Sequence, residues 1–117
     1  MKSVLLISHG SRSPKTKKEV SKLVNTLRKK SEIMILEYAF LEIESPLIPQ
    51  GIETCVKKGA DEVIVLLNFL NPGRHVDVDI PRIIARAQKQ YPKVKFHITK
   101  PVGQHEAIVN LFLEMIS

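Results

Sequence analysis

Tryptophan is missing from this chain, cysteine occurs once, and phenylalanine and tyrosine together number six. A single cysteine, Cys55, rules out an intramolecular disulfide, and such cysteine usage suits a reducing compartment. Few aromatics and no interleaving of them with basic residues argue against a single-strand nucleic-acid binder. No zinc knuckle or RNA-binding signature is present either. Apolar runs are short, and none approaches the roughly eighteen residues a membrane span needs. The opening "SVLLIS" is too short for a signal-peptide core and lacks a small-residue cleavage site. It reads as a first strand, and the expected location is the cytoplasm. Acidic residues are the minority, twelve against eighteen basic, for a formal charge of +6. A surplus of that size draws polyanions. A small acidic ligand explains it at least as well as nucleic acid, and a merely solvated basic surface is the bland alternative.

What is present suits one domain spanning residues 1–117: 44% hydrophobic residues supply a core, and 26% charged residues are ordinary for a globular chain. Apolar runs alternate with helical spacing. Val4-Leu5-Leu6-Ile7 is a continuous apolar run of the sort expected in a strand covered on both faces. Ser13-Pro14 is a cap followed by proline at the first helical position. The helix it opens turns Val20, Leu23, Val24 and Leu27 inward. "IMILEYAFL" (33–41) is a second strand, and Ser45-Pro46 repeats the cap-and-proline start. Ile48, Ile52, Cys55 and Val56 form the inner face of that second helix, and Gly59 stops it. In that setting Cys55 packs as a small apolar group. "EVIVLLNF" is the most apolar strand and belongs at the sheet centre. A third helix, near 78–90, faces inward with Ile80, Ile83, Ile84 and Ala87. "VKFHIT" is a fourth, edge-like strand. A last helix from about Gln104 is expected to pack Ile108, Leu111, Phe112 and Met115 on the core.

This βαβαβαβα order predicts a flavodoxin-like, doubly wound α/β domain: a four-stranded parallel sheet, order 2-1-3-4, with helices on both faces. Ligands in such sheets bind beyond the carboxyl ends of the strands, at the switch point between strands 1 and 3. His9 follows strand 1 in "ISHGSRSP", and His75 follows strand 3 in "NPGRHVDVD". Glu42 ends strand 2, and His105 follows strand 4. Imidazole is the commonest ligand of late first-row divalent metals and takes up a proton near neutral pH. Two or three protein ligands leave coordination positions open, as in catalytic sites. Arg12 and Arg74 lie within three residues of the two histidines, and guanidinium pairs bidentately with carboxylates. Taken singly, each of these residues has a plainer reading. Glu42 and Glu44 are loop carboxylates before a helix, His97 is a structural residue within strand 4, and His105 is a helix cap. Lys15, Lys17 and Lys18 are a solvated helix face.

"HGSR", "FLEIESPLIPQGI", "FLNPGRHVDVDIPR" and "KPVGQHEAI", in that order, resemble the small sirohydrochlorin chelatases, class II tetrapyrrole chelatases of cobalamin and sirohaem synthesis. The resemblance spans essentially the whole chain. It implies a lyase-type enzyme that inserts a divalent metal, cobalt or iron with nickel in a related branch, into sirohydrochlorin. That ring carries eight carboxylates, in keeping with the positive charge. It also implies His9 as proton acceptor and metal ligand, His75 as second metal ligand, and Glu42 as a substrate-contacting residue. The stretch Leu70, Asn71, Pro72, Gly73, Arg74, His75 is implied to line the macrocycle. Arg12 is a further candidate contact for a substrate carboxylate. No organic cofactor, nucleic acid or membrane partner is implied, and the small members are expected to act as homodimers. Asn71-Pro72-Gly73-Arg74 departs from the alanine-histidine-glycine of archaeal short forms and looks closer to bacterial and plant-type members, some of which insert iron.

Two other classes fit the pattern less well. A non-catalytic tetrapyrrole or metal carrier differs from a chelatase only in turnover. A histidine-dependent phosphoryl-transfer enzyme is disfavoured because Ser8 stands where histidine phosphatases carry arginine.

Overall fold

Val4-Leu5-Leu6-Ile7 is apolar on both sides of the pleat, and only a strand with neighbours on each side and layers above and below can bury all four. The computed structural model, which describes residues 1–117, does so. The chain runs β1 (Lys2–Ser8), α1 (Pro14–Lys30), β2 (Ile35–Phe40), α2 (Ile48–Lys57), β3 (Glu62–Leu67), α3 (Ile80–Gln90), β4 (Lys95–Pro101) and α4 (Ala107–Ile116). All pairings are parallel, in the order β2-β1-β3-β4. The expected topology is therefore present, with β1 and β3 sharing the centre and β4 at an edge.

Two apolar layers flank the sheet. On one face Leu5, Ile7, Val63 and Val65 meet Ile48, Ile52 and Cys55 of α2 and Ile80, Ile84 and Ala87 of α3. On the other, Val4, Leu6, Leu36 and Phe40 meet Val20 and Val24 of α1, with Leu27 and Ile33 partly buried beside them. Ser13 caps α1 as expected, its Oγ accepting from the Lys15 amide at 3.3 Å. Gly59 takes φ +106° just past the end of α2, the left-handed conformation that ends a helix.

Three expectations are corrected. First, α2 begins at Ile48 rather than after Ser45. The Phe40 amide donates to the Pro46 carbonyl at 2.8 Å, and Phe40 bridges Leu47, so residues 45–47 run alongside β2 instead of coiling. Leu47 is the capping residue, and its amide is held by Gln50 Oε1 at 2.8 Å. Second, the third helix starts earlier, in a π turn over His75–Asp79. Third, α4 does not pack on the core: none of its residues is buried, and Leu111 and Phe112 are more than half exposed. The turn before it explains the departure. The Gly103 amide donates to the Phe69 carbonyl, Gln104 reaches the Leu70 carbonyl, and a Cβ on Gly103 would lie 1.9 Å from that oxygen. These ties fix the direction in which the chain leaves β4. The capping position of α4 is Glu106, and His105 just before it accepts from the Ala107 amide through Nδ1 at 3.0 Å.

Cys55 is fully buried under α2, and burial pushes its thiol up to about 11. The folded chain disfavours the thiolate. Stability is therefore full below the ordinary thiol value of 9.0 and declines as pH rises towards about 11. We expect Cys55 to resist thiol reagents at neutral pH and to react once the chain is unfolded in urea. Comparing urea midpoints of wild type and Cys55→Ala at pH 8.5 and pH 10.5 checks the sign: the wild type loses more between them.

Candidate metal centre at the switch point

Parallel strands all point their carboxyl ends the same way, so whatever follows β1, β2 and β3 shares one edge. The ladder carries on past the strands. The Leu41 amide donates to the Ser8 carbonyl at 2.9 Å, and the Glu42 amide to the His9 carbonyl at 3.2 Å. Between β1 and β3, the Asn68 amide donates to the Ile7 carbonyl at 2.8 Å and Asn68 Nδ2 to Ser8 Oγ at 3.0 Å. Ser11 N–H then donates to Glu44 Oε1 at 2.8 Å, giving Glu44 a structural task between the two loops.

Two unusual backbone positions bring the loops this close. Gly10 adopts φ +105°, and a Cβ there would fall 1.9 Å from the Glu42 carbonyl oxygen, so only glycine fits. Ile43, a β-branched residue, is held at φ +73°. Such a side chain avoids the left-handed region, and strain of this kind persists only where surrounding contacts impose it. Here it turns the chain directly after Glu42.

The result is a trio. Donor atoms of His9, Glu42 and His75 lie within 4.8 Å of one another. His9 Nε2 stands 3.0 Å from Glu42 Oε1, and the two imidazoles are 5.0 Å apart between ring centroids. Nδ1 of His9 lies 3.2 Å from the Gly10 carbonyl, a hydrogen bond in the tautomer that carries the proton on Nδ1, in which Nε2 is the acceptor. A nitrogen lone pair and a carboxylate oxygen at 3.0 Å repel unless a proton or a cation lies between them. A metal ion can take that place. Ligands at about 2.1 Å in a tetrahedral site are about 3.4 Å apart, close to the 3.0 Å between His9 and Glu42.

His75 has a partner that the sequence reading did not single out. Its Nδ1 is 2.8 Å from Asp79 Oδ2, four residues on across the π turn. A carboxylate on one ring nitrogen fixes the tautomer and turns the other nitrogen outward as a ligand. The His-x-x-x-Asp spacing in "HVDVD" was the available signal. Single π turns in helices often occur at functional sites, and this one brings the two side chains together. We expect Asp79→Asn to weaken cobalt binding about 10- to 100-fold, measured by calorimetry, with the thermal midpoint close to wild type.

The side chains of all three residues are about half exposed, and the site is open. Directly before His75, Leu70, Asn71, Pro72, Gly73 and Arg74 are all exposed, with Leu70 offering apolar surface. Arg12 is exposed at the start of α1. The structure does not draw Arg12 or Arg74 into the trio, and neither makes an ion pair. His97 is set apart, paired with Glu62 at 3.3 Å on the sheet.

Fold and site together define a doubly wound α/β protein with an open cluster of two histidines and a carboxylate, able to hold a cation, at its switch point. The chain belongs to the CbiX family, whose model matches residues 3–117. It is 40% identical over 112 residues to a sirohydrochlorin cobaltochelatase of Priestia megaterium, covering 95% of this chain and 36% of that protein. A chloroplastic sirohydrochlorin ferrochelatase of Arabidopsis thaliana is 33% identical, over 97% of this chain and 49% of that one. Among solved structures, the sirohydrochlorin chelatase SirB from Bacillus subtilis subspecies spizizenii, in complex with cobalt, superposes with a TM-score of 0.89. Its identity is 32%, covering 98% of this chain and 49% of SirB. The chain thus spans between a third and a half of the length of these relatives.

Proposed function

We propose that this protein is a sirohydrochlorin chelatase: it transfers a divalent cobalt or iron ion into sirohydrochlorin, releasing two protons, in cobalamin or sirohaem synthesis. The observation that carries the reading is the open His9–Glu42–His75 trio, in a chain similar to proteins of that activity.

The chemistry follows from the geometry. The metal is substrate, so it has to be held and then released. Three ligands with open positions permit both, whereas a closed four-ligand site retains its ion. Two ring nitrogens replace protein ligands stepwise as two N–H protons leave. His9 takes up a proton once its Nε2 is freed from the metal, with Glu42 beside it to stabilise the imidazolium. His75, fixed by Asp79, stays a ligand until the ring nitrogens have taken over. On this reading Arg12 and Arg74, neither of which makes an ion pair, receive substrate carboxylates, and Leu70 to Gly73 lie against the macrocycle.

Phosphoryl transfer from His9 is disfavoured by the same distance, since Glu42 sits 3.0 Å from the nitrogen that would attack and repels a phosphate. We further propose a cytoplasmic homodimer. The apolar helix α4, none of whose residues is buried, supports the pairing, and a buried free thiol suits a reducing compartment.

Anaerobic mixing of the protein with sirohydrochlorin and cobalt(II), iron(II) or nickel(II) in turn tests the reading. Absorbance of the ring should shift faster than in the protein-free control for at least one metal. Equal rates with and without protein for all three would end it.

A further inference from the structure

The exposed helix α4 and the half-covered face of the sheet belong together. On the α1 side, Leu6, Leu23, Leu27 and Leu66 line an open apolar trough of about 460 Å³ that ends at Val102 and His105. Leu23, expected to be inside, is 42% exposed because nothing lies over it. The helix, meanwhile, is apolar over far more than one stripe. At 100° per residue, Ile108, Leu111, Phe112 and Met115 form one row and Val109, Leu113 and Ile116 a second beside it. Asn110, Glu114 and Ser117 fill the remainder. The apolar arc is about 200°, against the roughly 100° of a helix lying on a surface. A ten-residue helix is also shorter than the ~12–15 residues that persist alone in water. It requires a surface to form on.

Building on the homodimer reading, we propose that α4 of each copy packs into the α1-side trough of a second copy, so that the two chains exchange their C-terminal helices. The occupant is a second copy rather than the helix's own trough because the turn at Val102–Gln104 is pinned. Gly103 and Gln104 are tied to the carbonyls of Phe69 and Leu70, and His105 Nδ1 accepts from the first helical amide, that of Ala107. The chain extends 48 Å along its long axis, and its radius of gyration is 14.4 Å. A compact chain of this length has about 13.4 Å. Each copy has one free helix and one free trough, so a two-fold pair satisfies both and leaves none over, a closed isologous arrangement. The one charge on α4, Glu114, has a counterpart in Lys100 at the trough. Two apolar rows leave one for the trough and one for α1 or the other α4.

Cross-linking separates the outcomes. Cys55 is buried and silent, so Leu111→Cys in one preparation and Thr99→Cys in another introduce the only accessible thiols. Mixed, exchanged and treated with a short bis-maleimide, they should give a covalent dimer. A double variant diluted into excess wild type should give little linkage within its own chain. Linkage confined to that chain would mean that α4 folds back, and the proposal fails. Light scattering supplies the second arm. Leu111→Asp with Phe112→Asp should weaken dimerisation at least roughly 30-fold, with Cys55 still shielded as a check that the sheet is folded. A dimer that survives this double change sinks the helix exchange and leaves the homodimer standing. A wild type that is monomeric at all concentrations sinks both.

Discussion

Replacing His9 or His75 by alanine is expected to cut the proposed metal insertion by about 10²- to 10⁴-fold, the range for losing a positioned proton acceptor or its equivalent. The fold survives either change. Both side chains are close to half exposed, so truncation opens no buried cavity and orphans no buried polar atom. The two variants differ in a way that separates their roles. On the proposed reading His75 contributes a ligand, so in His75→Ala high metal concentration should restore part of the rate. On that reading His9 contributes a ligand and the proton acceptor, so in His9→Ala saturating metal should leave the maximal rate depressed. Rate against cobalt concentration for both variants, with circular dichroism alongside, makes the comparison. Wild-type rates in both variants would show that the trio is not the reacting site.

Gly10→Ala is expected to damage the site and the fold together. The position has φ +105°, and holding a residue with a Cβ there costs about 1–3 kcal/mol. The new methyl would also sit 1.9 Å from the Glu42 carbonyl oxygen and 3.1 Å from its carbon, and backbone atoms cannot swing aside as a side-chain tip can. Relief comes only if the loops after β1 and β2 part. That breaks the Glu42 amide to His9 carbonyl bond and draws the Glu42 carboxylate away from His9. Thermal midpoint and cobalt affinity should both fall, the affinity at least about tenfold. Gly73→Ala is the control. Nothing lies within 4 Å of a Cβ there, and stability should change by less than about 0.5 kcal/mol. If Gly10→Ala melts and binds metal like wild type, the loops are not held by this contact.

How much of this was legible in the sequence depends on the range of the forces involved. Alternation of apolar runs and helical spacing is local and periodic, and it yielded the four strands, their order and the edge where His9, Glu42 and His75 meet. The start of α2 was misplaced because Ser45-Pro46 has the look of a cap. A non-local bond from Phe40 to the Pro46 carbonyl, which no local pattern reveals, keeps those residues extended. The tie between His75 and Asp79 went unnoticed because a π turn has no sequence signature, although the four-residue spacing is plain once the turn is known. The last helix is the instructive failure. Ile108, Leu111, Phe112 and Met115 have the spacing of an inward face, and the sheet does have an open face to receive them. Periodicity says that a helix has to be covered; it does not say by which chain. Ties at Gly103 and Gln104, again between residues far apart in sequence, decide the direction.

The central claim is that the His9–Glu42–His75 trio passes metal into the ring and is free to do so again. Counting product per protomer tests it most directly: anaerobic sirohydrochlorin and cobalt(II) in large excess over protein, with the metallated ring quantified over time. The account predicts many rings per protomer at a steady rate above the protein-free control. A burst of one ring per protomer followed by the control rate would contradict it, and would mark the protein as a carrier that holds metal and tetrapyrrole without turning over.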